Sequence, residues 1–198
     1  MKPYAREIAV YVVLGALTAG GVHLVQQNHT LTQRNQSFVR GAAEPHAGLY
    51  VASYPTRTLD GAPVTLGALG QRQLVIFFRT TCPYCRASTP AWTTIAAQLA
   101  DHPEVAVYGV ALDSAPAART YAAAHGLRFP VIARPDPRLV ALYRVGGVPV
   151  VLILNEHARI TYARLGVLAE PVAVDSVVAA ARTMPAAPHF VARRQAPR

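Results

Sequence analysis

Two cysteines, Cys82 and Cys85, stand three positions apart and are the only two in the chain of 198 residues. A thiolate is a nucleophile, and two thiols one helical turn apart can cycle between dithiol and disulfide. If Cys82 opens a helix, unpaired backbone N–H groups and the positive end of the helix dipole favour its thiolate. Pro83 then takes the first helical position, where a missing N–H is harmless. Arg79 and Arg86 add positive charge nearby. Access divides the labour: Cys82 attacks a substrate disulfide, and the more shielded Cys85 resolves the mixed disulfide.

Other uses of a C-x-x-C pair need more than this chain supplies. A closed tetrahedral zinc site takes two further Cys or His ligands. No other cysteine exists, and the seven histidines are scattered without an H-x-x-x-H pair. No metal or other cofactor is therefore expected. A copper-binding module built from Cys82, Cys85 and a histidine stands as the alternative of a different class, with His125 and His157 the candidates in the later half of the domain. A purely structural disulfide would close so small a loop that it would remove little chain entropy.

The pair must be held between a strand and a helix. Leu74–Phe78 (LVIFF) is a continuous apolar run, as a strand covered on both faces requires. A helix over Pro83–Ala100 follows, with Ile95 and Leu99 on one face and Pro90 as a kink. Val105–Leu112 reads as a second buried strand. Asp113 or Ser114 then caps a helix that Gly126 closes. Phe129–Ala133 is a brief extended segment, and Arg138–Tyr143 a short helix. Val148–Leu154 and Ile160–Leu165 are strands separated by an Asn155-Glu156 turn, and Glu170–Thr183 is a closing amphipathic helix. Before all of these, Leu59-Asp60-Gly61 turns between strand-like stretches Gly48–Thr58 and Ala62–Leu66. Strands alternating with helices predict an α/β sheet with the cysteine turn at a strand's carboxyl end.

The ends of the chain have a different character. Residues 8–25 carry no formal charge apart from His23, and as a helix they would span about 27 Å, near the thickness of a bilayer's hydrocarbon core. Lys2 and Arg6 before this run favour a cytoplasmic N-terminus. A cleaved signal peptide is the rival reading, with Leu17 and Ala19 around the cut; both readings export the domain. The partition expected is a cytoplasmic stretch 1–7, a transmembrane helix 8–25, a polar linker 26–47, a folded domain 48–183 and a disordered basic tail 184–198. The net charge of +9 suits anionic lipid; the arginines are spread out and no nucleic-acid motif accompanies them, so nucleic acid is not an expected partner. Asn28-His29-Thr30 and Asn35-Gln36-Ser37 fit the glycosylation pattern by chance in a composition that looks bacterial.

From about residue 48 to residue 182 the chain resembles the thioredoxin-like superfamily, in particular its TlpA/ResA-type membrane-anchored branch. The motifs that carry the resemblance are the Leu59–Leu66 hairpin, LVIFFRTTCPYC, Pro90, the Gly126–Pro130 stretch and Gly147-Val148-Pro149-Val150. The resemblance implies a thioredoxin-like fold, with a central mixed β-sheet flanked by helices and an N-terminal β-hairpin extension, and a cis Pro149 facing the cysteines. It also implies substrate contacts from Pro83, Tyr84, Val148 and Pro149, with the Val148 backbone pairing an extended substrate strand. The chain departs from the pattern in two places. Thr81 stands where Trp is usual, and Ile76 replaces the buried Asp of thioredoxins. Asp113 is read as a helix cap, with replacement of that Asp as its second reading. Trp92 is read as a packing residue.

The activity the resemblance implies is thiol–disulfide exchange on exported proteins. It is expected to run as a reductase in the periplasm of a bacterium, for instance in cytochrome c maturation. The partners would be protein thiols and disulfides, the inner membrane and a membrane thiol-electron donor. An oxidase or isomerase remains open within the same chemistry. A thiol peroxidase is disfavoured, because Arg79 stands where a peroxidatic Pro-x-x-x-Thr-x-x-Cys motif has Thr.

Overall fold

The computed structural model describes residues 14–28 and 44–183. The chain divides into two compact units, Met1–Ala43 and Glu44–Arg198. In the first, helix α1 is described over residues 14–28, three residues past the expected end at Val25. Its Thr18 hydroxyl donates back to the Leu14 and Gly15 carbonyls at 3.0 Å. Among the described residues no helix is long and apolar enough to cross a membrane. Residues 1–7, the start of the expected span (8–13), most of the linker (29–43) and the tail from 184 lie outside the described residues.

The second unit is built around strand β3 (Arg72–Phe78), whose last six residues are buried, so its sequence carries no polar alternation. It runs parallel to β4 (Val105–Ala111), which runs parallel to β5 (Val131–Ala133). On its other side β3 is antiparallel to β6 (Val150–Leu154), and β6 to β7 (Ile160–Leu165). The five-stranded order is β5-β4-β3-β6-β7, a mixed sheet as expected.

Helices α2 (Pro83–Gln98), α3 (Ala115–Ala124) and α5 (Pro171–Arg182) contribute Trp92, Ile95, Tyr121 and Val177 to one core, against Leu74, Ile76 and Phe78 of β3. The short helix α4 (Pro137–Leu142) covers the opposite side. There Leu139 and Tyr143 pack with Val75, Phe77 and Leu66. This second unit is therefore a three-layer α/β fold with two cores that share one sheet.

Strands β1 (Tyr54–Arg57) and β2 (Pro63–Leu66) form a separate antiparallel hairpin. Gly61, at φ +83°, takes the left-handed turn position that a Cβ would strain. Buried Gln73 of β3 fastens this hairpin by accepting the Gly67 N–H at 2.7 Å and donating to the Thr65 carbonyl at 2.8 Å. The expected first strand was too long. Residues 48–53 join no strand, although Val51 donates to Ala158 at 2.9 Å and Tyr50 makes a lone bridge to Arg159.

Other boundaries moved by a residue or two, each for a physical reason. Strand β6 begins at Val150 rather than Val148, because Pro149 has no N–H to give a ladder. Helix α2 ends at Gln98, where Leu99 caps it. Helix α3 closes as expected through Gly126 at φ +63°, with the Leu127 N–H donating to the Ala122 carbonyl at 2.9 Å. The cap expected from Asp113 is absent. Ser114 holds the N-cap position without a side-chain bond, and Asp113 faces elsewhere.

Candidate active site

Strand β3 delivers the chain to the carboxyl end of the sheet, and residues 79–81 turn it into α2. Cys82 is the N-cap residue, extended at φ −78° and ψ 121°, and Pro83 opens the helix as expected. One turn later Cys85 is on the same face. The two differ in access: Cys82 is partly exposed, whereas Cys85 is 0% exposed and belongs to the core that holds Ile76 and Phe78. Both thiols are free. Pro83 is exposed, and Tyr84 beside it is 61% exposed, an aromatic ring facing solvent at the mouth of the pair.

The second half of the site arrives from 66 residues downstream. The Val148–Pro149 peptide is cis, as the resemblance implied, and the Val148 carbonyl accepts from the Cys82 thiol at 3.9 Å. Pro149 is buried beneath the loop, and its own carbonyl accepts the Gly166 N–H at 2.9 Å, which ties it to the end of β7. Of the four residues expected to meet substrate, Pro83 and Tyr84 follow Cys82 directly and Val148 meets its thiol, while Pro149, the next residue after Val148, is buried.

The electrical environments of the two sulfurs are opposite. Partial burial works against the Cys82 thiolate. Bonds from the Cys85 N–H, the Cys85 thiol and the Tyr84 N–H outweigh it and hold Cys82 below the ordinary cysteine value. Cys85 is pushed up to about 12, first by burial and then by the Cys82 sulfur and the Asp113 carboxylate. The Arg79 N–H, 3.5 Å from the Cys85 sulfur, pulls the other way. One sulfur is poised to ionise and attack while the other holds its proton in reserve.

Residues that sequence reasoning missed support this pair. Ser88, fully buried on α2, donates to the Tyr84 carbonyl and accepts the Leu168 N–H, both at 2.9 Å. It joins the active-site turn to the segment before α5. Thr89 donates to the Cys85 carbonyl at 2.9 Å and pairs with the Tyr121 hydroxyl at 2.6 Å. A Ser and a Thr inside an Ala-rich helix carry no signal for such roles. Trp92 packs as expected, its ring tilted against Phe78 with centroids 5.6 Å apart. Asp113 accepts the Thr80 N–H and lies 3.9 Å from the Arg79 guanidinium.

Among the described residues no group of three or more His, Cys, Asp or Glu side chains could hold an ion. His125 stacks on Tyr121 at 4.3 Å, and His157 lies 3.6 Å from Glu156. Neither supplies the third ligand that the copper reading needs.

Comparison with known proteins agrees with this geometry. No curated protein sequence gives a significant match. Among solved structures, StoA from Bacillus subtilis is similar, with TM-score 0.57 and 19% identity over 65% of this chain and 96% of its own. A putative thiol:disulfide interchange protein DsbE from Chlorobium tepidum gives 0.59 and 21% over 70% and 99%. MTB DsbF, in its mixed oxidized and reduced forms, gives 0.55 and 25% over 65% and 92%. The AhpC/TSA family profile matches residues 50–163, more than half of the chain and the whole stretch from the hairpin through the Cys82 turn to the Pro149 loop. A thioredoxin-like sheet with a free dithiol at the mouth of its active-site helix thus has its place among known proteins: the chain belongs to the AhpC/TSA family, with the fold and paired cysteines of a thiol–disulfide oxidoreductase.

Proposed function

We propose that the protein reduces disulfides in exported proteins. Cys82 is the nucleophile, Cys85 the resolving thiol, and Pro83, Tyr84, Val148 and Pro149 the surface that receives the substrate. The observation that carries this reading is the asymmetry of the pair. A partly exposed sulfur held toward its thiolate stands in front of a fully buried sulfur pushed up to about 12. That arrangement directs the first attack to one atom and leaves the second for an intramolecular step.

The Val148 carbonyl beside Cys82 offers an extended substrate segment a main-chain partner next to the reacting sulfur. Residues 8–25, with Lys2 and Arg6 before them, are read as the tether to a bacterial inner membrane, placing the domain in the periplasm. A membrane thiol transporter would return electrons to the pair, and immature cytochrome c is a fitting substrate for such a reductant.

The test is a trap. Replacing Cys85→Ser in the full chain should accumulate a mixed disulfide through Cys82 that a small dithiol releases; the Cys82→Ser variant should accumulate none. Failure of Cys85→Ser to trap any protein disulfide in the native compartment overturns the exchange reading. Finding the wild-type pair as a stable disulfide there overturns the reductive direction and leaves the oxidase.

A further inference from the structure

The geometry points to Asp113 as a positioning residue for the second half of the exchange: by accepting the Thr80 N–H it holds the turn after β3 so that the neighbouring Arg79 N–H stays aimed at the Cys85 sulfur. This inference rests on the exchange reading above and deepens it. The sheet register puts Asp113 there. Phe78 and Ala111 end β3 and β4 as partners, and the Leu112 N–H donates to the Phe78 carbonyl at 2.9 Å, so the residue after Leu112 lies level with the 79–81 turn.

Consecutive N–H groups of that turn then find separate acceptors, Arg79 on sulfur at 3.5 Å and Thr80 on carboxylate. The second Asp113 oxygen lies 3.9 Å from the Arg79 guanidinium, and the Asp113 side chain is only 16% exposed. Asp113 has no capping task to explain its placement, since Ser114 is the N-cap of α3.

In the resolving step the Cys85 sulfur attacks the Cys82 sulfur of the mixed disulfide as a thiolate, its proton passing in the net exchange to the substrate sulfur that leaves. The bond between Cys82 and the substrate sulfur breaks as the Cys82–Cys85 bond forms. The substrate sulfur leaves with the electron pair and takes up a proton. An N–H aimed at Cys85 favours the attacking thiolate. The negative charge of Asp113 disfavours it, so the residue acts in two opposite senses that substitution can separate. The groups that face Cys85 are Cys82 on its own helix, Asp113 after β4, the Arg79 N–H after β3 and Tyr121 on α3.

The experiment mixes the reduced full-length protein with an aromatic disulfide reagent that releases a coloured thiolate twice, once on attack by Cys82 and once on resolution by Cys85. Asp113→Asn keeps an acceptor for Thr80 and loses the charge. Its second phase should be about 2- to 5-fold faster at neutral pH, with the pH profile displaced to lower pH. Asp113→Ala loses both, and its second phase should be at least about 5-fold slower than that of Asp113→Asn, as the loss of one hydrogen bond predicts. The first phase should change by less than about 2-fold in either variant, since Cys82 keeps its own hydrogen bonds.

Equal second phases in the two variants overturn the inference. If Asp113→Ala does not fold, Thr80→Pro, which removes the N–H donor and keeps the charge, takes its place, and a second phase as fast as that of the wild type overturns the inference. A wild-type protein that shows no second phase overturns the exchange reading itself, which separates the two failures.

Discussion

Brief alkylation of the reduced protein at pH 8 should label Cys82 at least about 10-fold faster than Cys85. The figure follows from the two environments. With Cys85 pushed up to about 12, only about one molecule in ten thousand carries its thiolate at pH 8. Cys82, held below the ordinary cysteine value, is ionised in at least about one molecule in ten. The ratio of thiolates is therefore about a thousand or more. A more basic thiolate is a better nucleophile, and over three pH units a Brønsted slope of 0.4–0.5 returns roughly 15- to 30-fold to Cys85.

What remains is about 30-fold or more; a Cys82 held lower still gains little thiolate at pH 8 and loses nucleophilicity, which sets the bound at about 10-fold, and the complete burial of Cys85 raises it. The pH dependence has a definite sign. The Cys82 rate should climb and level off through an inflection below 9, while the Cys85 rate should keep rising about tenfold per unit until pH approaches 12. Peptide mapping after a limiting pulse of iodoacetamide reads both rates at once. Labelling of Cys85 within about threefold of Cys82, or a Cys82 inflection above 9, would refute the asymmetry on which the functional reading rests.

Two stability predictions probe the scaffold around the site. Ser88→Ala leaves the buried Leu168 N–H without its acceptor, and denaturant unfolding should show a loss of about 1–3 kcal/mol; a loss below about 0.5 kcal/mol would mean that the 168 segment finds another partner. Tyr143→Phe removes a fully buried hydroxyl that has no hydrogen-bond partner among the described residues, so the same assay should find stability unchanged or raised by up to about 1 kcal/mol, and a clear loss would reveal a hidden partner for that oxygen.

The cysteine pair and its immediate setting were legible because each rests on a local rule. LVIFF is an apolar run of strand length, Pro83 marks a helix start, and Gly126 marks a helix end. Pro149 was legible only through resemblance, because nothing in V-P-V selects the cis isomer. What stayed hidden depends on residues brought together by register. Asp113 sits after a strand and before a helix, where capping is the natural local inference. Its actual partner, Thr80, is 33 residues away and becomes its neighbour only when β3 and β4 align. Ser88 reaches Leu168 across 80 residues, a pairing that no local window contains. The first strand of the hairpin was overdrawn for a related reason. Residues 48–53 lie in no strand: Gly48 is in a turn at φ +99°, and the backbone N–H groups of Gly48 and Val51 donate to Ile160 and Ala158, at and just before the start of β7, not to β2.

The parity of β3 has a practical meaning for anyone who would redesign the protein. Residues 74, 76 and 78 share a core with Cys85, whereas 75 and 77 belong to the core beneath α4. Neighbouring β6 splits the same way, with 151 and 153 on the cysteine side and 150, 152 and 154 on the other. A substitution at residue 74, 76 or 78 is therefore felt in the packing around Cys85, while one at 75 or 77 is felt beneath α4.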